Sequence, residues 1–380
     1  MSVLDDVYGD LLVVRAPVPA TCNKAGANYK SEVTHLEYSP RRAYDEWLSI
    51  LEGIVACGGD AIYQFDAVDD PYLGHHALHV DAFGEIRADG SSDVIGNLRD
   101  VETGRVFAAN GPWVTLDGNR LRAVMQHMLP HRRAESAYYR GLLEKIADAT
   151  DKSLEIVDNP YRWEGMADVA VVGDKVVLTY AVPGRYDETT TPKSPRSSRE
   201  GVTFAADTVG VPANARIYVE LVYPHFHGDT VHFGARPAKG DAVLVHYAGG
   251  LWGDGRDRVL GTLGRERVVP IDLDDAVHEY AGNSRQVKRG VLVPDGVSAK
   301  FKQSIVNLGL ETRTVPLYEL FGKAGGGPAC ATLYLPRSLK VPANAPFLYS
   351  ATRDAVRARR ERVPEKLTVD PDFFAGKSRG

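Results

Sequence analysis

Val169–Val172 and residues 176–180 are two short apolar runs facing each other across Gly173-Asp174. A two-residue Gly-Asp link between valine-rich runs predicts a tight antiparallel hairpin, because glycine accepts the positive φ such a turn needs. The same rhythm extends to both sides. Residues 11–14 suit a buried strand, and Tyr44, Trp47, Leu48, Leu51, Ile54 and Val55 recur at helical spacing before Gly58-Gly59. Residues 61–65 are strand-like again, and 136–149 predict a helix with Tyr138, Leu142, Leu143 and Ile146 on one face. Further along, 217–223, 242–247 and 290–293 read as strands, and 272–280 and 298–307 as helices. A hairpin strand runs antiparallel and a helical crossover returns parallel, so a β–β–α–β rhythm predicts mixed sheets. The fold class is α/β, without the long parallel connections of a purely parallel sheet.

Two stretches interrupt the rhythm. Residues 66–105 are polar and turn-rich, an insertion or loop ahead of a strand at Phe107-Ala108-Ala109-Asn110. Residues 183–200 form a loop rich in Pro, Thr, Ser and charge. Loops this long inside a compact domain are often lids, so at least one is expected to border the functional pocket. The organisation expected is a single catalytic domain over 1–350 and a peripheral tail over 351–380, a solvated helix with a frayed end.

Charge and cysteine usage narrow the class. The formal net charge is −5, so no basic field favours nucleic acid. Cys22, Cys57 and Cys330 are an odd, sparse set, fitting a reducing compartment better than a disulfide framework. Residues 1–10 show no apolar run after a basic start, and no run approaches 18 apolar residues. A soluble, cytoplasmic enzyme, possible as a homo-oligomer, is the reading.

One cysteine stands out, in Gly325-Gly326-Gly327-Pro328-Ala329-Cys330-Ala331-Thr332. Glycines allow close backbone approach to a bound group, and a helix starting after Cys330 would lower the thiol pKa. The plain alternative is a small buried hydrophobe behind a turn. Upstream, Glu164-Gly165-Met166-Ala167-Asp168 leads into one strand and His225-Phe226-His227-Gly228-Asp229-Thr230 follows another. Three look-alikes are weaker. His225 and His227 lack carboxylate or cysteine partners at zinc spacing, His75-His76-Ala77-Leu78-His79 suits a surface loop, and no Lys-Ser/Thr follows the glycines to make a phosphate loop.

Taken in order, Glu-Gly-x-x-Asp, His-x-Asp-Thr and Gly-Gly-x-x-Cys-x-Thr resemble the guanidino-modifying enzymes of the pentein superfamily. That group holds arginine deiminase, dimethylarginine dimethylaminohydrolase, arginine dihydrolase and the amidinotransferases. Phe107-Ala108-Ala109-Asn110-Gly111, Arg132-Arg133-Ala134-Glu135 and Arg196-Ser197 extend the resemblance, which runs from about Arg15 to Arg337. It implies a five-bladed α/β propeller of ββαβ modules about a pseudo-fivefold axis; no repeat is legible in the residues themselves.

The chemistry fits that implication. A guanidinium carbon is a poor electrophile, so attack needs a thiolate, acceptors for the planar N–H edges and a proton donor for the departing nitrogen. Cys330 is the nucleophile expected to form a covalent amidino-thioether. His227 would protonate the leaving group and then activate water, and Glu164 would orient His227. Asp229, two residues from His227 and on the same face if both lie on a strand, would grip guanidinium nitrogens. By resemblance, Arg132 and Arg196 occupy carboxylate-binding positions, with Arg133 and Arg199 close enough to compete, and Asp168 and Asn110 belong to the substrate site. No metal or organic cofactor is implied, and the partner is a small guanidino molecule rather than nucleic acid or membrane.

Three departures bear on outcome. Asn110 is neutral where deiminases carry an aspartate, Ala329 replaces the Asn or His common before the cysteine, and Gly228 replaces an apolar residue. The leading expectation is a cysteine-dependent hydrolase of arginine or a derivative. An amidinotransferase is the first rival, although the Asp-Ala-Ala-Asp and Arg-x-Gly-x-Asp blocks of those enzymes are absent. A non-catalytic binding module of the same fold is the second.

Overall fold

The computed structural model describes residues 3–17, 36–64, 72, 74–98, 104–182, 196–323 and 325–376. Five three-stranded sheets share one pattern, a central strand paired antiparallel on one side and parallel on the other. Trp113–Asp117, Arg120–Met125 and Ser153–Asp158 form the first such sheet in the chain. Val169–Val172, Lys175–Tyr180 and Arg216–Glu220 form the second, with Gly173 at φ 61 in the expected hairpin turn. His232–Ala235, Val243–His246 and Val268–Pro270 make the third, and Arg285–Val287, Gly290–Pro294 and Glu311–Val315 the fourth. The fifth joins the ends of the chain: Leu11–Arg15 pairs antiparallel with Thr332–Tyr334 and parallel with Asp60–Gln64.

Each parallel return passes through a helix, namely Pro40–Ala56, Glu135–Thr150, Arg199–Thr208, Gly255–Leu263 or Ala299–Asn307. Serine caps begin three of them. Ser39, Ser198 and Ser298 each accept from the backbone N–H three residues on, at 3.2, 3.1 and 3.1 Å. Pro40–Ala56 buries Tyr44, Trp47, Leu51 and Ile54 of the stripe its spacing predicts, together with Ala43 and Ile50, while Leu48 and Val55 are half-buried. Among the described residues no helix is long and apolar enough to cross a membrane.

The sixth sheet differs from expectation. Its order is Glu37–Tyr38, Lys366–Val369, Ala77–Val80, Glu85–Ala88 and Val94–Asn97. The 66–105 segment therefore contributes three strands where a loop was expected, and the tail supplies the strand Lys366–Val369 beyond its expected helix, Tyr349–Arg359. The cause is burial at period two: Leu78, Val80, Ile86, Leu367 and Val369 point inward while polar neighbours mask them in the sequence. His79 sits in the Ala77–Val80 strand, and His76 pairs with Glu365 at 3.5 Å. Leu367→Ala is expected to cost about 2–4 kcal/mol, read by chemical denaturation; a cost below about 0.5 kcal/mol, the mark of an exposed residue, would contradict this packing.

Residues 183–195 of the second expected loop lie outside the described residues. Phe107-Ala108-Ala109-Asn110 is not a strand either: Ala108–Asn110 is a single 3-10 turn. Equivalent short turns, Gly165–Asp168, Gly228–Thr230 and Ala281–Asn283, stand immediately before the first strands of three other sheets.

Candidate active site

Those turns, with the Cys330 turn ahead of Thr332–Tyr334, carry the polar groups that meet one another. Glu164 precedes the Gly165–Asp168 turn, where Gly165 has φ 77. A side chain at Gly165 would put its Cβ 2.2 Å from the Gly111 carbonyl oxygen, so only glycine lets these two turns pack. His227 precedes Gly228–Thr230, and its Nε2 lies 2.8 Å from Glu164 Oε2. A carboxylate only accepts, so Nε2 carries the proton and Nδ1 is the nitrogen left for proton exchange. Burial pushes the Glu164 carboxyl up, but Arg196 and His227 hold it well below the usual carboxylate range.

Asp229 lies in the turn, not on a strand beside His227 as expected, and so reaches the cysteine. The Cys330 thiol donates to Asp229 Oδ2 at 3.2 Å and accepts from Asn283 Nδ2 at 3.0 Å. Asn283 also takes the Cys330 N–H on Oδ1 at 2.9 Å and donates to the Asp229 carbonyl at 3.0 Å. Burial raises the Asp229 carboxyl to about 6, against the lowering influence of His227 and the thiol. No helix follows Cys330, because Thr332–Tyr334 is drawn into pairing with residues 12–14. The thiol therefore stands well above its ordinary pKa, through burial first and the Asp229 carboxylate second, reversing the lowering expected from a helix start.

The remaining site residues have partners inside the protein. Asp168 accepts from Thr179 Oγ1 and the Gly228 N–H at 2.8 Å each and from Ser197 Oγ at 2.5 Å, so it braces the His227 turn from beneath. A Cβ at Gly228 would fall 2.3 Å from Thr179 Oγ1, which accounts for glycine between His227 and Asp229. Asn110 donates to the Glu164 carbonyl at 3.0 Å and accepts from Arg132 Nη1 at 2.8 Å.

The two arginines expected at carboxylate-binding positions each pair with a carboxylate of the protein. Arg132 is buried and already holds a carboxylate, with Nε and Nη2 donating to the two oxygens of Glu135 at 2.6 and 2.9 Å. Its Nη2 also reaches the Gly104 carbonyl at 2.9 Å, the point where the 66–105 segment touches this network. Arg196 pairs with Glu164 Oε2 at 3.2 Å. A guanidinium committed to a buried carboxylate cannot be released without leaving that charge unpaired. Arg199, by contrast, is exposed and stacks over Tyr180 and Tyr218.

Sequence reading missed Asn283. Its signal is positional: Ala281-Gly282-Asn283 enters the fourth sheet as Ala108-Ala109-Asn110 enters the first.

Among the described residues of this site, two buried carboxylate oxygens have no hydrogen-bond partner, Glu164 Oε1 and Asp229 Oδ1. Two buried, half-satisfied carboxylates beside a thiol and a histidine nitrogen leave acceptor positions open to N–H donors.

No known family model matches the chain, and no curated protein matches it. Solved structures do. The N-terminal domain of ArgZ bound to substrate, an arginine dihydrolase of cyanobacteria, superposes with TM-score 0.62 at 18% identity over 86% of this chain and 97% of that one. Unliganded AgrE gives TM-score 0.61 at 19% identity over 87% of this chain, which corresponds to 40% of AgrE. DDAH from Pseudomonas aeruginosa, complexed with citrulline, gives TM-score 0.56 at 15% identity over 87% of this chain and all of that one. The class defined is thus a mixed α/β protein with the fold that ArgZ, AgrE and DDAH share.

Proposed function

We propose that this chain is a cysteine-dependent hydrolase of the guanidino group of arginine or an arginine derivative, built as five ββαβ modules about a pseudo-fivefold axis. The observation that carries the reading is the pair of buried, unpartnered oxygens on Glu164 and Asp229 beside a thiol that already bonds to Asp229. The shared strand pattern of the five sheets supports the modular arrangement.

In the free site the thiol is protonated. An arriving guanidinium satisfies Asp229 Oδ1 and offsets the negative charge that holds the thiol pKa up. The thiol proton passes to His227 Nδ1, and the sulfur adds to the guanidinium carbon. His227 protonates the departing nitrogen from Nδ1, and the C–N bond breaks to leave an amidino-thioether on Cys330. Water deprotonated by His227 adds to that carbon, and the C–S bond breaks to regenerate the thiol. Glu164 keeps the imidazole in one orientation and stabilises its cation.

Arg132 and Arg196 already pair with Glu135 and Glu164, so the test spans compounds with and without a carboxylate. The protein is incubated with arginine, its methylated, hydroxylated and acylated forms, and agmatine, and ammonia, urea and ureido product are measured. Release of at least one of these from a guanidino compound, unaffected by a chelator, is the expected result. Amidino transfer would instead show as product that forms only with added glycine, lysine or ornithine. No turnover and no adduct on Cys330 with any compound would overturn the reading.

A further inference from the structure

Arg285 opens the strand Arg285–Val287, two residues beyond Asn283. Its Nε donates to Thr332 Oγ1 at 2.8 Å, and its Nη2 donates to the carbonyls of Ala329 and Thr332 at 2.8 and 3.1 Å. One guanidinium thus ties together the residue before Cys330 and the residue that starts the strand after it. The plane also lies over the Tyr334 ring, 4.5 Å from its centre. Among the described residues Arg285 forms no ion pair, and a half-buried guanidinium answered only by carbonyls and a hydroxyl is an uncommon arrangement. Beside it is a small cavity of about 20 Å³, bordered by Asp229, His232, Ser284, Arg285, Ala329 and Tyr334. That is room for about one water. The carboxylate on the cavity wall is Asp229.

We propose that Arg285 is a positioning residue of the catalytic centre: it clamps the turn that carries Cys330 and presents, across the cavity, a positive charge to the Asp229 carboxylate. The inference rests on the roles given to Cys330 and Asp229 above. Arginine suits both tasks because its planar fork meets several acceptors at fixed angles and its charge is permanent, whereas lysine offers one compact ammonium. Nothing in the chemistry of guanidine hydrolysis requires a cation at this place, so its presence behind the carboxylate calls for a reason of this kind.

The charged groups around Asp229 come from four elements. His227 belongs to its own turn and lowers its pKa, as do the Cys330 thiol from the closing turn and Arg285 from the fourth sheet. Asp168, from the turn below, raises it, and burial raises it most, to about 6. His232, on the same cavity, is kept neutral by burial and by its neighbour His246. A carboxylate is needed to receive a cation, so binding is present above the Asp229 pKa and lost as pH falls through it. Removing the Arg285 charge raises that pKa and moves the acid limb upward. An arginine that only braced the fold would lower the melting temperature without moving the limb.

The test uses full-length Arg285→Gln and Arg285→Lys beside wild type. The rate of Cys330 labelling by chloroacetamidine, a cationic reagent, is followed from about pH 5 to about pH 9, together with kcat and KM on whichever guanidino compound is turned over. Arg285→Gln should move the acid limb of labelling up by about one unit, a roughly tenfold loss of rate below the midpoint. Arg285→Lys should keep the limb near its wild-type position yet lose about tenfold in kcat, since one ammonium nitrogen cannot reproduce the fixed fork by which Nε and Nη2 reach the three acceptors. A folded Arg285→Gln protein with an unmoved limb overturns the electrostatic role. If that variant does not fold, Arg285→Lys decides: a shifted limb overturns the charge role, and wild-type kcat overturns the clamp. Labelling does not depend on turnover. A wild type that labels at Cys330 but hydrolyses no guanidine would defeat the functional reading, and the limb would still decide the role of Arg285.

Discussion

Cys330→Ala is expected to abolish guanidine turnover, by at least about a thousandfold, while the melting temperature stays within a few degrees of wild type. The thiol is the only group in the site able to form the amidino-thioether, so no neighbouring side chain can substitute for it. The fold should tolerate the loss because Asn283 keeps its other bonds, to the Cys330 N–H and the Asp229 carbonyl. Mass spectrometry of quenched wild type should find the adduct on Cys330. Cys57 is the natural control. It is buried in an apolar cluster, its thiol pushed up by burial, and Cys57→Ala should leave turnover unchanged. More than a few per cent of wild-type rate in Cys330→Ala would end the covalent mechanism.

How much of this was legible in the residues depends on the range of the interaction concerned. The hairpin at Gly173-Asp174 was legible because its strands are adjacent and its turn chemistry is local. So were the helices Pro40–Ala56 and Glu135–Thr150, whose apolar spacing sits in one window. The sheet that joins residues 77–97 to Lys366–Val369 was not, since its strands are four residues long and its partner lies almost 300 residues away. The order of the Glu-Gly, His-x-Asp and Gly-Gly-x-x-Cys motifs drew attention to Glu164, His227, Asp229 and Cys330, which the fold brings into bonded pairs. The protein partners of Arg132 and Arg196 were not legible, for a general reason. An arginine's role is fixed by which carboxylate reaches it in space, and Glu135 and Glu164 reach these two first. The thiol environment was misjudged likewise, because Thr332 continues into a strand where the glycine run suggested a helix.

Asp229→Asn is expected to move two labelling rates in opposite directions. In wild type the carboxylate accepts the thiol proton in a hydrogen bond and, after burial, is the largest influence holding the thiol pKa up. Removing its charge lowers that pKa, because a thiolate no longer faces an anion and an amide N–H can donate to it. Alkylation of Cys330 by neutral iodoacetamide near pH 7 should therefore become faster, by a few-fold to about tenfold, with burial still opposing ionisation. The cationic reagent and the guanidine substrate should behave the other way. They lose a charge-assisted contact inside a buried site, together worth a loss of about a hundredfold or more in labelling by chloroacetamidine and in kcat/KM. A different role for Asp229 predicts a different pattern: if its task were to take the thiol proton as a base, both rates would fall together. Parallel losses would thus replace guanidinium binding with base catalysis as the work of this carboxylate, whereas divergence ties the high thiol pKa of the free protein to the cation whose arrival relieves it.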